Sequence, residues 1–275
     1  ALYTNTTGGN NVATGRQALY SNTTGGYNIA IGGNSLYSNT TANNNTAVGF
    51  SALGVNTTGA NNVAVGALSL DANTTASDNV GIGINSAGQT TTGAGNIAIG
   101  TNSLLGNITG GSNVGIGTYA LRLNTTESNN TAVGYQAGYN SNTTGITALG
   151  AYAGQDHTSG AELTAIGYFA AADNTTGGYN VATGAGSLRL NTTGSYNVAT
   201  GFHALYNNTT ASNNTAVGYQ AGYNNTTGTR LLALGYHSAL NHTTGNYNTA
   251  VGYQSQRNNQ TGESNTSLGE NTLYY

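Results

Sequence analysis

The feature that most constrains this chain is a pattern of 17 residues that recurs along its whole length. Each copy follows the consensus A/S-L-Y-x-N-T-T-G-x-x-N-V/I/T-A-V/I/T-G-x-x, and one copy, residues 137–152, has an insertion and a deletion after which the register recovers. Self-similarity at such a period indicates one structural unit per repeat, stacked on its neighbours. The copies begin at Ala1, Ala18, Ser35, Ala52, Ser69, Ser86, Ser103, Ala120, Ala137, Ala153, Ala170, Ser187, Ala204, Ala221, Ser238 and Ser255.

A short β-branched segment followed by glycine closes each copy, as in Asn28-Ile29-Ala30-Ile31-Gly32. The glycine is expected where the backbone needs positive φ or a close approach. Glycines and β-branched residues at this density disfavour a continuous helix. We therefore predict an all-β fold, a parallel β-solenoid of about sixteen 17-residue coils without helices. Residues 1–275 are expected to form one continuous array that is a fragment of a longer fibre.

Side chains alternate along a strand, so the two outer strand positions share one face and the middle position has the other. We predict that the bulky outer residues fill the coil and that the small middle residue lies on the outside. A thin core of this kind is marginal in a single chain, and close approach along a row of small residues would enlarge it. This predicts a homo-oligomer, with a trimer favoured. The predicted interchain row is Ala13, Ala30, Ala47, Ala64, Ala98, Ala132, Ala165, Ala182, Ala199, Ala216 and Ala250.

The strand-and-turn signature carries a family resemblance over essentially the whole chain. Three copies of it are residues 28–32, 62–66 and 96–100, which read Asn-Ile-Ala-Ile-Gly, Asn-Val-Ala-Val-Gly and Asn-Ile-Ala-Ile-Gly. The signature resembles the YadA-type head repeats of trimeric autotransporter adhesins, and similar repeats occur in bacteriophage tail fibres. The resemblance implies a left-handed parallel β-roll, three chains side by side and a role in surface attachment. The coil here is longer than the family repeat because an Asn-Thr-Thr-Gly turn is interposed.

The composition excludes several kinds of partner. The chain has five Lys and Arg residues, too few and too scattered to bind nucleic acid or anionic lipid through phosphate groups. No apolar run approaches the roughly 20 residues of a membrane-spanning helix, so we expect no membrane insertion by this segment. There is no Cys, hence no disulfide and no thiolate metal site. We expect an extracellular segment, on a cell surface or a virion surface.

The Asn-Thr-Thr turn allows two interpretations that exclude each other at any one position. Stacked Asn side chains could form an internal hydrogen-bonded ladder. Alternatively, each Asn-x-Thr is an acceptor sequence for N-glycosylation, and an exposed turn would then present a row of sugars. Further acceptor sequences flank the turn at Asn44, Asn129 and Asn213. The candidate glycosylation residues in the turns are Asn5, Asn22, Asn39, Asn56, Asn73, Asn107, Asn124, Asn142, Asn174, Asn191, Asn208, Asn225 and Asn259.

The same turns suggest a third, weaker possibility. Regular Thr rows can order water, which would make the chain an ice-binding solenoid, but adjacent Thr residues such as Thr6 and Thr7 point to opposite sides of a strand. The abundant Tyr residues are expected to pack at coil corners, with stacking on sugars of a receptor as the alternative.

Catalytic and metal sites are not predicted. His157 and His242 occupy equivalent places in coils far apart, and His203 and His237 are two coils apart, which is too far to share a zinc ion. Asp156 and Glu162 share one coil, but that coil departs from the consensus and drift explains it. We predict no enzyme activity and no cofactor. The asparagine and threonine side chains are the remaining source of specific chemistry.

Overall fold

The computed structural model describes residues 1–274, and the chain divides into two compact units, Ala1–Gln136 and the residues from Ala137 onward. Both units consist of stacked coils with one short strand each. The described residues contain no helix, and so no membrane-spanning helix. The prediction of an all-β parallel solenoid with a 17-residue coil is confirmed.

In the first unit eight parallel strands follow one another in chain order, each paired with its neighbours in sequence. The pairing joins equivalent residues of successive copies, for example Ala13 with Ala30 and Ala30 with Ala47. The strands are β1 (Val12–Thr14), β2 (Ile29–Ile31), β3 (Thr46–Val48), β4 (Val63–Val65), β5 (Val80–Ile82), β6 (Ile97–Ile99), β7 (Val114–Ile116) and β8 (Thr131–Val133).

The second unit repeats this arrangement in its own eight parallel strands, again in chain order. The copy with the insertion and deletion still pairs in register, because Ala148 lies opposite Ala165. The strands are β9 (Thr147–Leu149), β10 (Leu163–Ile166), β11 (Asn180–Thr183), β12 (Val198–Thr200), β13 (Thr215–Val217), β14 (Leu232–Leu234), β15 (Thr249–Val251) and β16 (Thr266–Leu268).

Hydrogen bonds between coils extend well beyond the short strands. The amide of Leu19 donates to the Ser35 carbonyl at 3.1 Å, and the amide of Ser21 donates to Tyr37 at 3.0 Å. In the turn, the amide of Thr23 donates to the Thr40 carbonyl of the next coil at 2.9 Å. Backbone groups along most of the coil are therefore paired with the adjacent coil, which is how a chain with little apolar volume satisfies its buried polar groups.

The prediction of which strand face lies inside is wrong. In every strand after β1 the middle residue is buried in the coil, and Ala30, Ala47 and Ala64 have no exposed surface. The outer residues lie on the outside, where Ile31 is 41% and Val65 is 37% exposed. Except for the half-buried Ala13, the predicted interchain row is buried in its own chain and so cannot be the surface between chains.

The narrowness of the coil explains this reversal. A Cβ atom added at Gly81, in the middle of β5, would lie 2.5 Å from Ser69 Oγ and 3.0 Å from Leu70 Cγ. The strand wall therefore packs directly on the Ala/Ser-Leu segment that opens each copy, whose Leu70 is fully buried. The remaining space holds nothing larger than Ala or Ser, so β-branched residues must point outward.

The closing glycines have positive φ, as predicted. Gly32 has φ of 130°, and an added Cβ would lie 2.5 Å from the Gly49 carbonyl oxygen of the next coil. Three further positions per coil are left-handed, shown by Leu19 (49°), Tyr27 (59°) and Asn34 (60°). Non-glycine residues rarely adopt this conformation, and here the hydrogen bonds on both sides of each coil hold them in it.

Candidate functional site

The asparagines of the Asn-Thr-Thr turns form a buried row that we call the turn ladder. In the first unit the Nδ2 atom of Asn39 donates to Asn22 Oδ1 at 2.8 Å and to the Ala42 carbonyl at 3.1 Å. The next member, Asn56, repeats this with Asn39 Oδ1 at 3.1 Å and the Gly59 carbonyl at 2.9 Å. The second unit has the same ladder over Asn174, Asn191, Asn208 and Asn225.

The internal-ladder interpretation of the turn is therefore confirmed at the buried positions. A glycan on Nδ2 is incompatible with this fold there, because the atom is enclosed and donates both hydrogens. Three candidate residues differ: Asn5 and Asn259 are half-buried, and Asn142 is exposed because Ser141 occupies the ladder position of its coil. The buried candidates are Asn22, Asn39, Asn56, Asn73, Asn107, Asn124, Asn174, Asn191, Asn208 and Asn225.

Glycosylation stays a prediction for the accessible acceptor sequences. The flanking residues Asn44, Asn129 and Asn213 are exposed, one position before a buried Asn. All three adopt left-handed backbone conformations in the turn that leads into the strand.

A second buried row, which we call the strand ladder, consists of the Asn that precedes each strand, and the sequence reasoning missed it. Asn28 Oδ1 accepts the backbone N–H of Asn45 at 3.0 Å, and Asn28 Nδ2 donates to the Ala42 carbonyl at 2.8 Å. The signal was visible in the sequence, since this Asn recurs with the full period and is replaced only by Ile146, Leu163 and Leu231. Substitution by bulky apolar residues is typical of a buried position.

The two ladders meet on one carbonyl group per coil. Gly25 O accepts Asn22 Nδ2 at 2.9 Å from its own coil and Asn11 Nδ2 at 2.8 Å from the preceding coil. The coil interior is thus a repeated polar network beside a thin apolar layer of Leu and Ala. Such networks stabilise a structure only while every member has a partner.

Interruptions of the turn ladder leave unsatisfied atoms. In the first unit Thr90 replaces one Asn, and Asn73 Oδ1, which faces it, has no hydrogen-bond partner in the structure. Asn107 on the other side makes only a long bond of 3.4 Å to Thr90 Oγ1. In the second unit Ser141, His157 and His242 take ladder positions, and Ser141 Oγ is without a partner.

The two ladder histidines are fully buried, and their environments differ. His242 Nδ1 lies 3.0 Å from Asn225 Oδ1, and His242 Nε2 lies 3.0 Å from Asn248 Nδ2. His157 Nδ1 lies 2.9 Å from Asn174 Nδ2, while its Nε2 atom has no partner. Burial lowers the pKa of His242 from 6.5 to about 4, and burial likewise lowers the pKa of His157 to about 4. Both rings are therefore neutral at pH 7.

The exposed side chains of the strands form a continuous uncharged surface in each unit, which we call the strand face. Each strand contributes the two residues that flank its buried middle position. In the first unit three of these sixteen residues are Thr (Thr14, Thr46 and Thr131) and the rest are Val or Ile. In the second unit seven of sixteen are Thr: Thr147, Thr164, Thr183, Thr200, Thr215, Thr249 and Thr266.

An aromatic row borders the strand face of the second unit, directly after the closing glycines. Phe202, Tyr219, Tyr236 and Tyr253 stack with centroids 5.2–5.3 Å apart and interplanar angles of 8–13°. Each is partly exposed, for example Tyr219 at 43%. Because the ring faces cover one another, only ring edges and the outermost faces are open. This arrangement favours packing over sugar stacking for these rings.

A groove of about 390 Å³, lined mainly by Asn and Thr residues, lies on the outside of the second unit. Its amides form an outer row in which Asn207 Nδ2 donates to Asn224 Oδ1, and Asn224 Nδ2 to Asn241 Oδ1, both at 3.0 Å. Thr226 lies beside this row, and its hydroxyl donates to the Thr243 carbonyl of the next coil at 3.1 Å. Each amide keeps a second N–H and a second acceptor lone pair for the solvent side.

The remaining candidate residues do not come together. The described residues contain no group of three or more His, Asp or Glu side chains that could hold a metal ion. Asp156 accepts a hydrogen bond from Asn140 Nδ2 at 2.5 Å. His237 Nε2 contacts Gln220 Oε1 at 2.9 Å, and His203 stacks on Phe202 with centroids 3.8 Å apart.

Comparison of the chain with protein-family models, with curated proteins and with solved structures finds no match.

Proposed function

We propose that this chain is a structural and adhesive segment of an extracellular fibre, in which copies of the chain associate side by side, as a trimer, through their strand faces. The observation that supports the proposal is the strand face itself. It is uncharged, it repeats with every coil, and in the first unit thirteen of its sixteen residues are Val or Ile. Monomeric proteins rarely expose a continuous apolar surface of this kind.

The free energy gained by burying the strand face is of the same order as the free-energy cost of association. Complete burial of Val, Leu or Ile contributes roughly 1.5–3 kcal/mol, so a residue still about 40% exposed can add about 0.6–1.2 kcal/mol. Six of the thirteen apolar residues of the first unit are 37–49% exposed, and their burial contributes roughly 4–7 kcal/mol, against an association cost of about 4–15 kcal/mol. Repetition along the coils therefore turns weak contacts into a stable interface.

The aromatic row extends the proposed interface in the second unit. Its edges continue the strand face on the side of the closing glycines, where Tyr236 and Phe202 are each 43% exposed. Aromatic side chains are enriched at interfaces because they bury a large area with little loss of conformational freedom. In this unit they offset the larger share of Thr on the strand face.

The resemblance to adhesin head repeats and tail-fibre repeats supports the same function. A virion tail-fibre shaft is the alternative within the proposal, and both place the segment on a cell or virion surface. For the adhesive role, we assign contact with a neutral glycan or receptor to the groove around Asn207, Asn224 and Asn241, whose amide donors and acceptors recur in these three successive coils.

Sedimentation velocity of the full chain tests self-association. We expect a species of three times the 27.6 kDa chain mass. The variant Ile31→Glu/Val65→Glu/Ile99→Glu should be monomeric, since charges on the face would be buried unpaired. The matched control Thr24→Glu/Thr58→Glu/Thr92→Glu, at exposed positions in turns off the strand face, should remain a trimer. A wild-type chain that sediments as a monomer at every concentration refutes the proposal.

Ice binding is a second candidate. On the strand face, residues two positions apart point outward together, an arrangement that the adjacent Thr residues of the turns do not have. Val12 and Thr14 flank a buried residue in this way, as do Thr46 and Val48. The face mixes Thr, Val, Ile and Leu, which makes it uneven and favours packing against another chain. Thermal hysteresis of the wild-type chain, lost in the strand-face Glu variant, would replace self-association with ice binding.

A further inference from the structure

All four histidines of the chain lie in the second unit. His203 and His237 are outside the core, beside the aromatic row. His157 and His242 are inside the turn ladder, where the other coils have an amide or a hydroxyl group. An amide cannot change its charge between pH 4 and 7, whereas an imidazole can.

The hydrogen bonds of His242 leave no place for a second proton. Its Nδ1–H donates to Asn225 Oδ1, so Nε2 must accept from Asn248 Nδ2. Rotating the Asn248 amide would not help, because its Oδ1 accepts the backbone N–H of Asn265 at 3.0 Å and its Nδ2 donates to Gly262 O at 2.6 Å. A proton on Nε2 would therefore face an N–H donor inside the coil.

His157 has the same conflict at its other nitrogen. Nδ1 accepts from Asn174 Nδ2, whose second hydrogen is held by Gly177 O at 2.8 Å. The remaining proton is on Nε2, which lacks a partner because Leu163 stands where most coils have the strand-ladder Asn. Protonation of Nδ1 would place a buried cation against an N–H donor, and the backbone groups of Gly160 and Asn174 offset the cost of burial only in part.

The surroundings offer no compensating charge. The groups packed against His242 are the amides of Asn225 and Asn248 and the backbone of Gly228, and none of these ionises. The charged residues and the histidine of the two adjacent coils, Arg230, His237, Arg257, Glu263 and Glu270, are exposed or half-buried, and none is fully buried.

Around His157 the contacts are Asn174 and Gly160, which are likewise neutral. The carboxylates of the same coil are Asp156, which is half-buried, and Glu162, which is exposed, and Asp173 of the next coil is half-buried. Asp156 is bonded to Asn140, and Asp173 interacts electrostatically with Arg189.

We propose that the second unit loosens in mild acid, because protonation of His157 and His242 breaks the buried turn ladder, while the first unit stays folded. The two histidines act as weak points of an amide network that otherwise does not respond to pH. Such an opening would expose the strand edges and core of this unit alone.

The sign of the effect follows from the lowered pKa of each histidine. In the unfolded chain both titrate near 6.5, and in the folded coil burial lowers their pKa to about 4. Their stabilising effect is thus complete above pH 6.5 and is lost as the pH falls from 6.5 towards 4. At pH 5 each histidine raises the unfolding equilibrium constant about 30-fold.

Two carboxylates act in the opposite direction. Desolvation raises the pKa of Asp71 in the first unit and of Asp173 in the second. A raised pKa means that their protonation favours the folded state, and there is one of them in each unit. They cannot produce the difference between the units.

Peptide-resolved hydrogen exchange on the full chain, at pH 7.5 and 5.0 and corrected for intrinsic rates, tests the proposal. We expect protection around residues 157 and 242 to fall about 30-fold or more at pH 5.0. Protection in the first unit should be unchanged. The variant His157→Asn/His242→Asn should lose most of the pH response. The control His203→Gln/His237→Gln should keep most of it, because burial lowers the pKa of these two half-buried histidines as well but they are outside the ladder.

An equal loss of protection in His157→Asn/His242→Asn would overturn the proposal. If that variant does not fold, NMR titration of the labelled imidazoles in the wild-type chain decides. Midpoints near 6.5 for the ladder histidines in the folded protein would overturn it, and midpoints near 4 would support it.

Discussion

The two units use the same coil but fill its interior in different ways. In the first unit all eight coils have the strand-ladder Asn, and the turn ladder is broken only at Thr90. In the second unit three coils have an aliphatic residue in the strand ladder and two have a histidine in the turn ladder. The backbone coil, with its closing glycine and its paired strand, is the same in both.

The aliphatic replacements are matched by a loss of volume on the opposite wall. The second residue of a copy is usually Leu, but it is glycine in the three coils that carry the replacement. A Cβ atom on Gly222 would lie 3.0 Å from Leu205 and 3.2 Å from Leu231, so Leu231 occupies the space of the missing side chain. The pairs are Gly138 with Ile146, Gly154 with Leu163, and Gly222 with Leu231. The comparison teaches that core volume is conserved within a coil while its position is not.

We expect the largest loss of stability from substitutions of the closing glycines. This loss should be the same in both units, because both have the same backbone conformation at these glycines. Gly32→Ala and Gly184→Ala each place a Cβ 2.5 Å from the glycine carbonyl of the next coil, at φ of 130° and 129°. We expect each to reduce the free energy of unfolding by more than about 4 kcal/mol in urea titrations.

Gly33→Ala is the control for this prediction, since its Cβ would make an ordinary contact of 3.6 Å with Phe50. It should cost less than about 1 kcal/mol. A large effect in only one unit would show that the two backbones are not equivalent.

A double-mutant cycle in the second unit tests the exchange of volume. Gly222→Leu alone should destabilise by about 1–3 kcal/mol through overpacking, and Leu231→Asn alone by about 2–5 kcal/mol through a cavity. The double variant recreates a first-unit coil and should lie within about 1 kcal/mol of the wild type by thermal or urea unfolding. Additive losses would contradict the compensation.

The smallest predicted change in stability concerns Thr90, the one residue that interrupts the turn ladder of the first unit. Thr90→Asn gives Asn73 Oδ1 a donor and replaces the 3.4 Å bond to Asn107, and the coil has room because Ala87 stands in place of Leu. We expect a gain of about 1 kcal/mol in unfolding free energy. Thr92→Asn, at an exposed position of the same turn, should change it by less than about 0.5 kcal/mol. A neutral Thr90→Asn would mean that water satisfies Asn73.

The sequence was sufficient for the period, the parallel stacking and the positive φ of glycines such as Gly32. It was not sufficient to predict which face of the strand lies inside the coil, because alternation defines two faces without assigning either to the interior. That choice depends on volume across the coil, where Leu70 and Ser69 leave no space beside Gly81. The strand ladder does not follow from alternation, because Asn28 and its equivalents precede the strands, but the replacement of this Asn by Leu163 and Leu231 indicates a buried position.

The exchange of volume in the second unit has a consequence for folding fidelity. Successive coils of near-identical sequence could dock after skipping one copy, with almost the same contacts. In the second unit, skipping the copy of residues 221–237 would bring Leu205 against a coil with Ala239 and Asn248 in place of Gly222 and Leu231, so a 17-residue slip would leave the space of the Leu231 side chain unfilled. Irregularity in an otherwise uniform array thus encodes the correct order of its coils.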